Sequence, residues 1–468
     1  MLGFTERRNT RCDGISRRHF LTAGALGMGG LSLADLLRAE SVQGIGSSNK
    51  AIINIHLDGG PPQMDTIDLK PHAPMEIRGE FKPISTRIPG FQICELMPKL
   101  ASMADQFSFI RSLVGADGRH DAFQCMSGFN SKALASIGGR PAMGCILTKL
   151  RGSANDKIPS FVDLMQGRPY VRNSARPGFL GPSFTPFRPD ISKMFSRPLE
   201  DGMKKELARL GPNHSASLTL NAALDADRLN DRGKLLGGLD KIKRELDNHG
   251  MMDALDRFHQ QAASILTSGK FADALDLTKV SPRDLQRYTA PAPTTGRFQT
   301  ADDHRSMRKL LLARRLVEAG VRCVSVSFSD FDTHSSNFKR MKHMLPILDI
   351  GLHSLINDLQ DRGMLDDVTV IAWGEFGRTP KINKKGGRDH WPKVGPAILT
   401  GGGMKTGQVI GSTDRTASTA TSRPVSYKDV FATLYNRLGI DPHQVTIDDP
   451  TGRPQYLLDE GQAIDELV

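Results

Sequence analysis

The last third of the chain alternates between helix-like and strand-like stretches, and this alternation sets the fold class. Asp302 to Ala319 is an amphipathic stretch stopped by Gly320, and Val321 to Phe328 follows as an apolar run of strand length. Leu345 to Arg362 puts Leu345, Leu348, Leu352, Leu355, Ile356 and Leu359 on one helical face before Gly363. Val368 to Trp373 is again a strand. Val394 to Thr400 is another, closed by Gly401-Gly402-Gly403, and a helix from Tyr427 to Leu438 ends at Gly439. Strands separated by helices imply a mostly parallel sheet covered on both faces. The expected class is α/β, with a mostly parallel central sheet sandwiched between helices.

The N-terminal half supplies more of the same. Ala51 to Leu57 reads as a strand through Ile52, Ile53, Ile55 and Leu57, and it runs into Asp58-Gly59-Gly60-Pro61-Pro62. Glycines there permit positive φ and let a ligand approach the backbone. Glu95 to Gln106 reads as helix and Phe107 to Arg111 as a short strand. The loop Gly115 to Asp121 then leads into a helix ending near Met126. Ser160 to Met165 is strand-like, and a Pro/Gly/Arg-rich stretch with Arg168, Arg172, Arg176 and Arg188 follows. Residues 228–268 read as a charged helical insertion with Leu235, Leu236, Leu239, Ile242 and Leu246 on its apolar face. The expected organisation is one large domain over 51–440, with 150–300 as an insertion and cover region and 441–468 as a tail.

Ahead of the domain, Ser16-Arg17-Arg18-His19-Phe20-Leu21 has the form of a twin-arginine export signal. A Gly/Ala-rich apolar run follows it to Leu37. Residues 1–40 are therefore expected to be the signal and 41–50 a linker. The export machinery is an expected partner, the location is periplasmic or extracytoplasmic, and membrane attachment follows only if the signal stays uncleaved. The net charge of +11 comes from scattered basic residues with no interleaved aromatics, so nucleic acid is not an expected partner. An anionic small molecule or an acidic polysaccharide ester suits the charge better. The five cysteines contain no CxxC pair, so a cysteine-rich zinc site is not expected. Cys323, inside an expected strand, reads as a small buried residue.

The chemistry gathers at strand ends. Asp332 and His334 stand two apart just beyond the strand ending at Phe328, so an extended backbone can turn both to one side. Glu375 follows the apolar Val370 to Trp373 directly, and a carboxylate in that position is costly unless paired or solvated. Asp389 and His390 form a third acid–imidazole segment. Asp58 or Asp65, beyond the first strand, would be the ligand from the N-terminal half. Carboxylates and imidazoles without thiolates suit a divalent metal, zinc first, with manganese, iron or calcium as alternatives. A two-metal site of this kind hydrolyses phosphate or related esters. Arg378 is either the salt-bridge partner of Glu375 or an anion fork. His120 is a candidate acid–base or ligand, and Ser112 an unmarked candidate nucleophile. No Gly-x-Ser-x-Gly elbow and no phosphate loop occurs.

These segments resemble a known family. Gly59-Gly60-Pro61 with Asp65 and Asp68, Arg111-Ser112 with His120, Asp332-Thr333-His334, Gly374 to Pro380, Gly387 to Trp391, and Gly401 to Gly403 with Thr413-Asp414 resemble the domain-of-unknown-function 1501 family. That family is grouped with the alkaline-phosphatase-like and sulfatase-like superfamily. The resemblance implies an alkaline-phosphatase-like sheet, a metal centre at the strand carboxyl ends, and hydrolysis of phosphate or sulfate esters. It implies Asp332, His334, Glu375 and His390 as metal ligands, with Asp58 or Asp65 contributing. Two departures bear on the reaction. Pro62 stands where the family has Ser, and Cys125-Met126-Ser127-Gly128-Phe129 lacks the arginine of the sulfatase signature. A water nucleophile, or an unmarked Ser, is expected in place of a formylglycine. The alternative is a catalytically silent protein of the same fold that binds cell-surface or polysaccharide material.

Overall fold

The computed structural model describes residues 50–152, 156–165, 174–189, 191, 269–292 and 302–468. The export signal, the linker up to residue 49, Arg168, Arg172 and the helical insertion over 228–268 lie outside the described residues.

Among the described residues, the central sheet has eight strands. They are β1 (Ala51–Asp58), β2 (Ser108–Val114), β3 (Phe161–Leu164), β4 (Cys323–Ser329), β5 (Val368–Trp373), β6 (Gly395–Gly401), β7 (Gln408–Ile410) and β8 (Val425–Ser426). The spatial order is β7-β2-β6-β5-β1-β4-β3, with β8 also paired to β2. β3, β4, β1 and β5 run parallel, and β7 and β8 run parallel to β2. β6 alone is antiparallel to its neighbours β5 and β2. Its direction follows from its connection. The chain leaving Trp373 forms a short hairpin, Gly377–Arg378 against His390–Trp391, at the carboxyl edge. No helix carries the chain back to the other edge, so the next strand must run the opposite way.

Side chains alternate across the strands and build one core on each face. Ile53, Ile55 and Leu57 join Val324, Val326, Phe328, Val370 and Ala372 on one face. Helices α1 (Pro98–Ser102), α3 (Arg308–Ala319) and α4 (Asn337–Asp361) cover it. Ile52, Cys323, Ile371, Trp373, Ala397 and Leu399 face the other way, under α2 (Met143–Arg151) and α5 (Tyr427–Arg437). The expected sandwich is the observed one. Among the described residues no helix is long and apolar enough to cross a membrane.

Several boundaries differ from the expectation. α4 starts at Asn337, eight residues before Leu345, because Phe338, Met341 and Met344 extend its buried face, and Pro346 lies inside the helix. α3 starts at Arg308, because Asp302 is drawn into a buried pair with Lys309 at 2.9 Å. Phe161–Leu164 is the edge strand of the main sheet, so the region 150–300 is not all excursion. Residues 441–468 are not a loose tail. Thr446–Asp448 and Pro454–Tyr456 form a hairpin, and Ile447, Leu457, Leu458, Ile464 and Leu467 are buried in the second core.

Candidate metal centre

β1, β4 and β5 end side by side, with Asp58 opposite Ser329 and His56 opposite Trp373. The segments that leave these strands therefore crowd one edge of the sheet. Two glycines make the crowding possible. Gly59 (φ +102°) lies against the Asp332 backbone, where a Cβ would clash, and a Cβ on Gly60 (φ +83°) would sit 2.6 Å from the Phe376 ring. The Phe331 N–H donates to the Asp58 carbonyl at 2.9 Å and ties the first two segments together.

A half-exposed group forms around Asp332 and consists of His120, Asp332, His334 and His390. His334 Nδ1–H donates to Asp389 Oδ1 at 2.6 Å, and His390 Nδ1–H donates to the Gly118 carbonyl at 3.0 Å. Both partners are acceptors, so each Nδ1 carries the proton and each Nε2 presents a lone pair. Those two Nε2 atoms face each other at 3.1 Å, and His334 Nε2 is 3.1 Å from Asp332 Oδ1. His120 follows the same plan, with Nδ1 3.0 Å from Glu375 Oε1 and Nε2 3.2 Å from Asp332 Oδ2. Lone pairs and a carboxylate aimed at one point repel unless a positive charge stands among them. Each ring also has its far nitrogen fixed by an acceptor, which is how proteins orient metal-bound imidazoles. The donor set fits a divalent cation.

A second, fully buried group lies below, made of His56, Asp58 and Glu375. Glu375 Oε1 accepts from the Gly59 N–H at 3.1 Å, while its Oε2 lies 3.3 Å from His56 Nε2. Neither His56 nitrogen makes a hydrogen bond, and Glu375 Oε2 is likewise unsatisfied. Buried polar atoms without partners are rare and costly, and a bound ion is one standard reason for them.

The charges are tuned together. Burial would raise the Asp332 carboxyl, but the contacts of His120 and His390 with it and the charges of His120 and Arg378 hold it well below the usual range. Burial acts the same way on Glu375, and His120 and His56 outweigh it, so this carboxyl too is held low. Burial would lower His120, yet its bonds to Asp332 and Glu375 push it up to about 9. A cation at the Nε2 atoms therefore competes with a proton on His120.

A family model described as protein of unknown function (DUF1501) matches residues 49–468. The chain belongs to the DUF1501 family. No curated protein matches it. Among solved structures, the PsFucS1 sulfatase from Pseudoalteromonas sp. is similar at a TM-score of 0.36 and 11% identity, covering 86% of this chain and 70% of that one. The phosphonate monoester hydrolase of Agrobacterium radiobacter is similar at 0.33 and 12%, covering 89% and 77%. Ps i-CgsB in complex with k-i-k-neocarrahexaose is similar at 0.35 and 12%, covering 83% and 72%.

In this DUF1501 chain the structure gathers Asp58, Asp332, His334, Glu375, His390 and His120 at one edge, and it gives the other named residues different roles. Asp65 is not a ligand. Its carboxylate is buried in a fork with Arg388, at 2.7 and 2.9 Å, and takes the Asn337 amide at 2.8 Å. Ser112 is not at the group. Its hydroxyl donates to the Arg423 carbonyl at 2.6 Å, beneath Gly411. Arg378 is not an open anion fork, nor does it pair with Glu375. It is fully buried, bonds Asp332 Oδ1 at 2.7 Å, and donates to the carbonyls of Gly59, Gly60 and Arg388. Asp389 stands behind His334 as its orienting acceptor and is not among the converging donors. His120, expected as an acid–base or a ligand, is placed with the ligands. His56 was missed. Its signal was the alternation Asn54, His56, Asp58 opposite Ile53, Ile55, Leu57, a polar stripe on one face of a buried strand.

Proposed function

We propose that this chain is a divalent-metal-dependent hydrolase of anionic esters, phosphate or sulfate, that works after export by the twin-arginine route. The observation that carries the reading is the convergence of His120, His334 and His390 Nε2 on the Asp332 carboxylate. Three imidazoles with one carboxylate favour zinc, with manganese second, and they argue against the expectation of calcium, which prefers oxygen. A cation held there would polarise an ester oxygen and make a water molecule acidic near neutral pH. His120, His334 and His390 would hold it, and Asp389, Gly118 and Glu375 keep their rings in register. Arg378 keeps Asp332 ionised and in place. His56, Asp58 and Glu375 are the donors for a second, deeper cation.

Water is the attacking group in this reading. Ser112 is occupied elsewhere, and burial pushes the Cys125 thiol well above its usual range. The same two facts favour the second reading, a silent binding protein of the same fold. Elemental analysis of exported protein purified without chelator, followed by panels of phosphate and sulfate esters, tests both. The expected result is metal in the wild type, its loss in His334→Ala, and turnover of one ester class. Metal with no turnover on either panel leaves the binding-protein reading, and unchanged metal in His334→Ala overturns the site.

A further inference from the structure

We infer that Asn383 is the positioning residue of the half-exposed group: one amide fixes both the backbone of His334 and the carboxylate that orients its ring. This rests on the reading of that group as a cation site. His334 and Asp389 need such a brace. Their side chains are 48% and 51% exposed, so their 2.6 Å contact is a surface pair. Exposed ion pairs contribute little by themselves, because water screens them and both side chains lose rotamer freedom in holding one geometry. Yet the ring has to keep its Nε2 on Asp332 Oδ1, 3.1 Å away.

Asn383 lies in the loop that joins the two strands of the hairpin, between Arg378 and His390. Both ends of its amide are fully used. Oδ1 accepts from the Lys385 N–H at 2.9 Å and from the Gly387 N–H at 3.0 Å. Nδ2 donates to the His334 carbonyl at 3.0 Å, and it also reaches Asp389 Oδ1 and Oδ2 at 3.3 and 3.4 Å. Donors surround the oxygen and acceptors surround the nitrogen, so a single orientation of the amide satisfies the network. The same side chain thus holds His334 from both ends, directly at its carbonyl and through Asp389 at its Nδ1. The loop's course does not depend on that side chain alone. The Ser336 N–H donates to the Lys385 carbonyl at 3.1 Å, the Asn337 N–H to the Gly386 carbonyl at 2.8 Å, and the Arg388 N–H to the Thr333 carbonyl at 2.8 Å. These backbone bonds flank His334 on both sides. A Cβ on Gly387 would lie 2.2 Å from the His334 carbonyl carbon, which shows how closely the two segments touch. What a change at Asn383 removes is the donor that ties Asp389 to His334.

The test is a cobalt(II) titration of the metal-free full chain, read by visible d–d absorption and by competition with a chromogenic chelator, beside urea unfolding. Asn383→Asp keeps an acceptor for the Lys385 and Gly387 N–H groups and removes the donor. Its added negative charge would by itself attract a cation, so a loss of affinity reports the missing donor. Cobalt binding in Asn383→Asp is expected to weaken about tenfold or more, with an altered visible spectrum. Asn383→Ala should lose affinity in the same way. In an Asp389→Asn background Asn383→Ala should cost much less than it does alone, because the two residues act on the same ring. Wild-type cobalt affinity and spectrum in Asn383→Asp overturn the inference, and a lowered urea midpoint beside them would leave Asn383 a purely structural role. Fully additive losses in the double variant also overturn it. A wild type that takes up no cobalt overturns the cation site and this inference with it, whereas tight wild-type binding with unaltered variants overturns the inference alone.

Discussion

The two acid–imidazole groups differ in what stands behind their rings. In the half-exposed group every Nδ1 is held by an acceptor: Asp389 for His334, Gly118 for His390, Glu375 for His120. In the buried group His56 has no hydrogen bond at either nitrogen among the described residues, and Glu375 Oε2 approaches it at 3.3 Å. A ring whose tautomer and direction are already fixed loses little freedom when it takes a ligand. The upper group is thus organised in advance, whereas the lower one depends on a carboxylate shared with His120. Glu375 links the two, so whatever fills the upper group also sets the charge felt by the lower.

The comparison breaks most severely at Asp332. Its carboxylate meets three imidazoles and the fully buried Arg378 guanidinium. Asp332→Ala should empty the upper group of metal and destabilise the protein by about 3–5 kcal/mol, the usual cost of leaving a buried charge without its partner. Elemental analysis and denaturant unfolding would measure the two effects. Loss of all metal would confirm that the lower group depends on the upper. One equivalent retained would show that His56, Asp58 and Glu375 bind independently.

A milder cut sharpens the same contrast. Asp389→Asn leaves His334 in place and weakens only the acceptor behind it. Metal affinity should fall about 10–100-fold with stability nearly unchanged. Competition with a chromogenic chelator would report it, and an unaltered affinity would mean that ring orientation is set by packing alone.

These roles were only partly visible in the sequence. The sheet was legible because its strands are apolar runs bounded by glycine, and the site's address was legible because Asp332 and Glu375 follow such runs while His390 lies in the loop just beyond one. Which acid faces inward was not. Asp65 lies close to the edge in sequence, but its partner Arg388 is 323 residues away, and no local pattern announces that pair. Arg378 carries the right fork for an anion, and only three-dimensional packing shows that carbonyls and Asp332 already fill it. Asp389 and His390 read as one ligand pair, yet neighbouring residues in an extended segment point apart, so one faces Asp332 and the other braces His334. His56 hid inside a run read for its isoleucines.

The smallest expected effect lies outside both groups and isolates them. Asp349 on α4 accepts the backbone N–H groups of Lys99 and Leu100 at 3.1 and 2.7 Å. Burial pushes its carboxyl up to about 6 from an ordinary 3.8, against the pull of those two bonds. The site acids Asp332 and Glu375 are held low instead, by their neighbours' charges and hydrogen bonds. The pH consequences have opposite signs. A carboxyl raised in the folded state contributes stability that is complete below its unfolded value and is lost as pH rises through its folded value. Asp349 therefore favours the folded state at pH 4 and loses that advantage by pH 7. The depressed site acids favour it near neutrality and lose their contribution as pH falls through their lowered values. Asp349→Asn removes the first trend and leaves the second. Relative to the wild type, the variant should gain about 1–3 kcal/mol between pH 4 and pH 7, read by urea unfolding at each pH. A difference between the two proteins that stays flat across that range would mean that Asp349 ionises as an exposed carboxyl does, and that burial does not govern it.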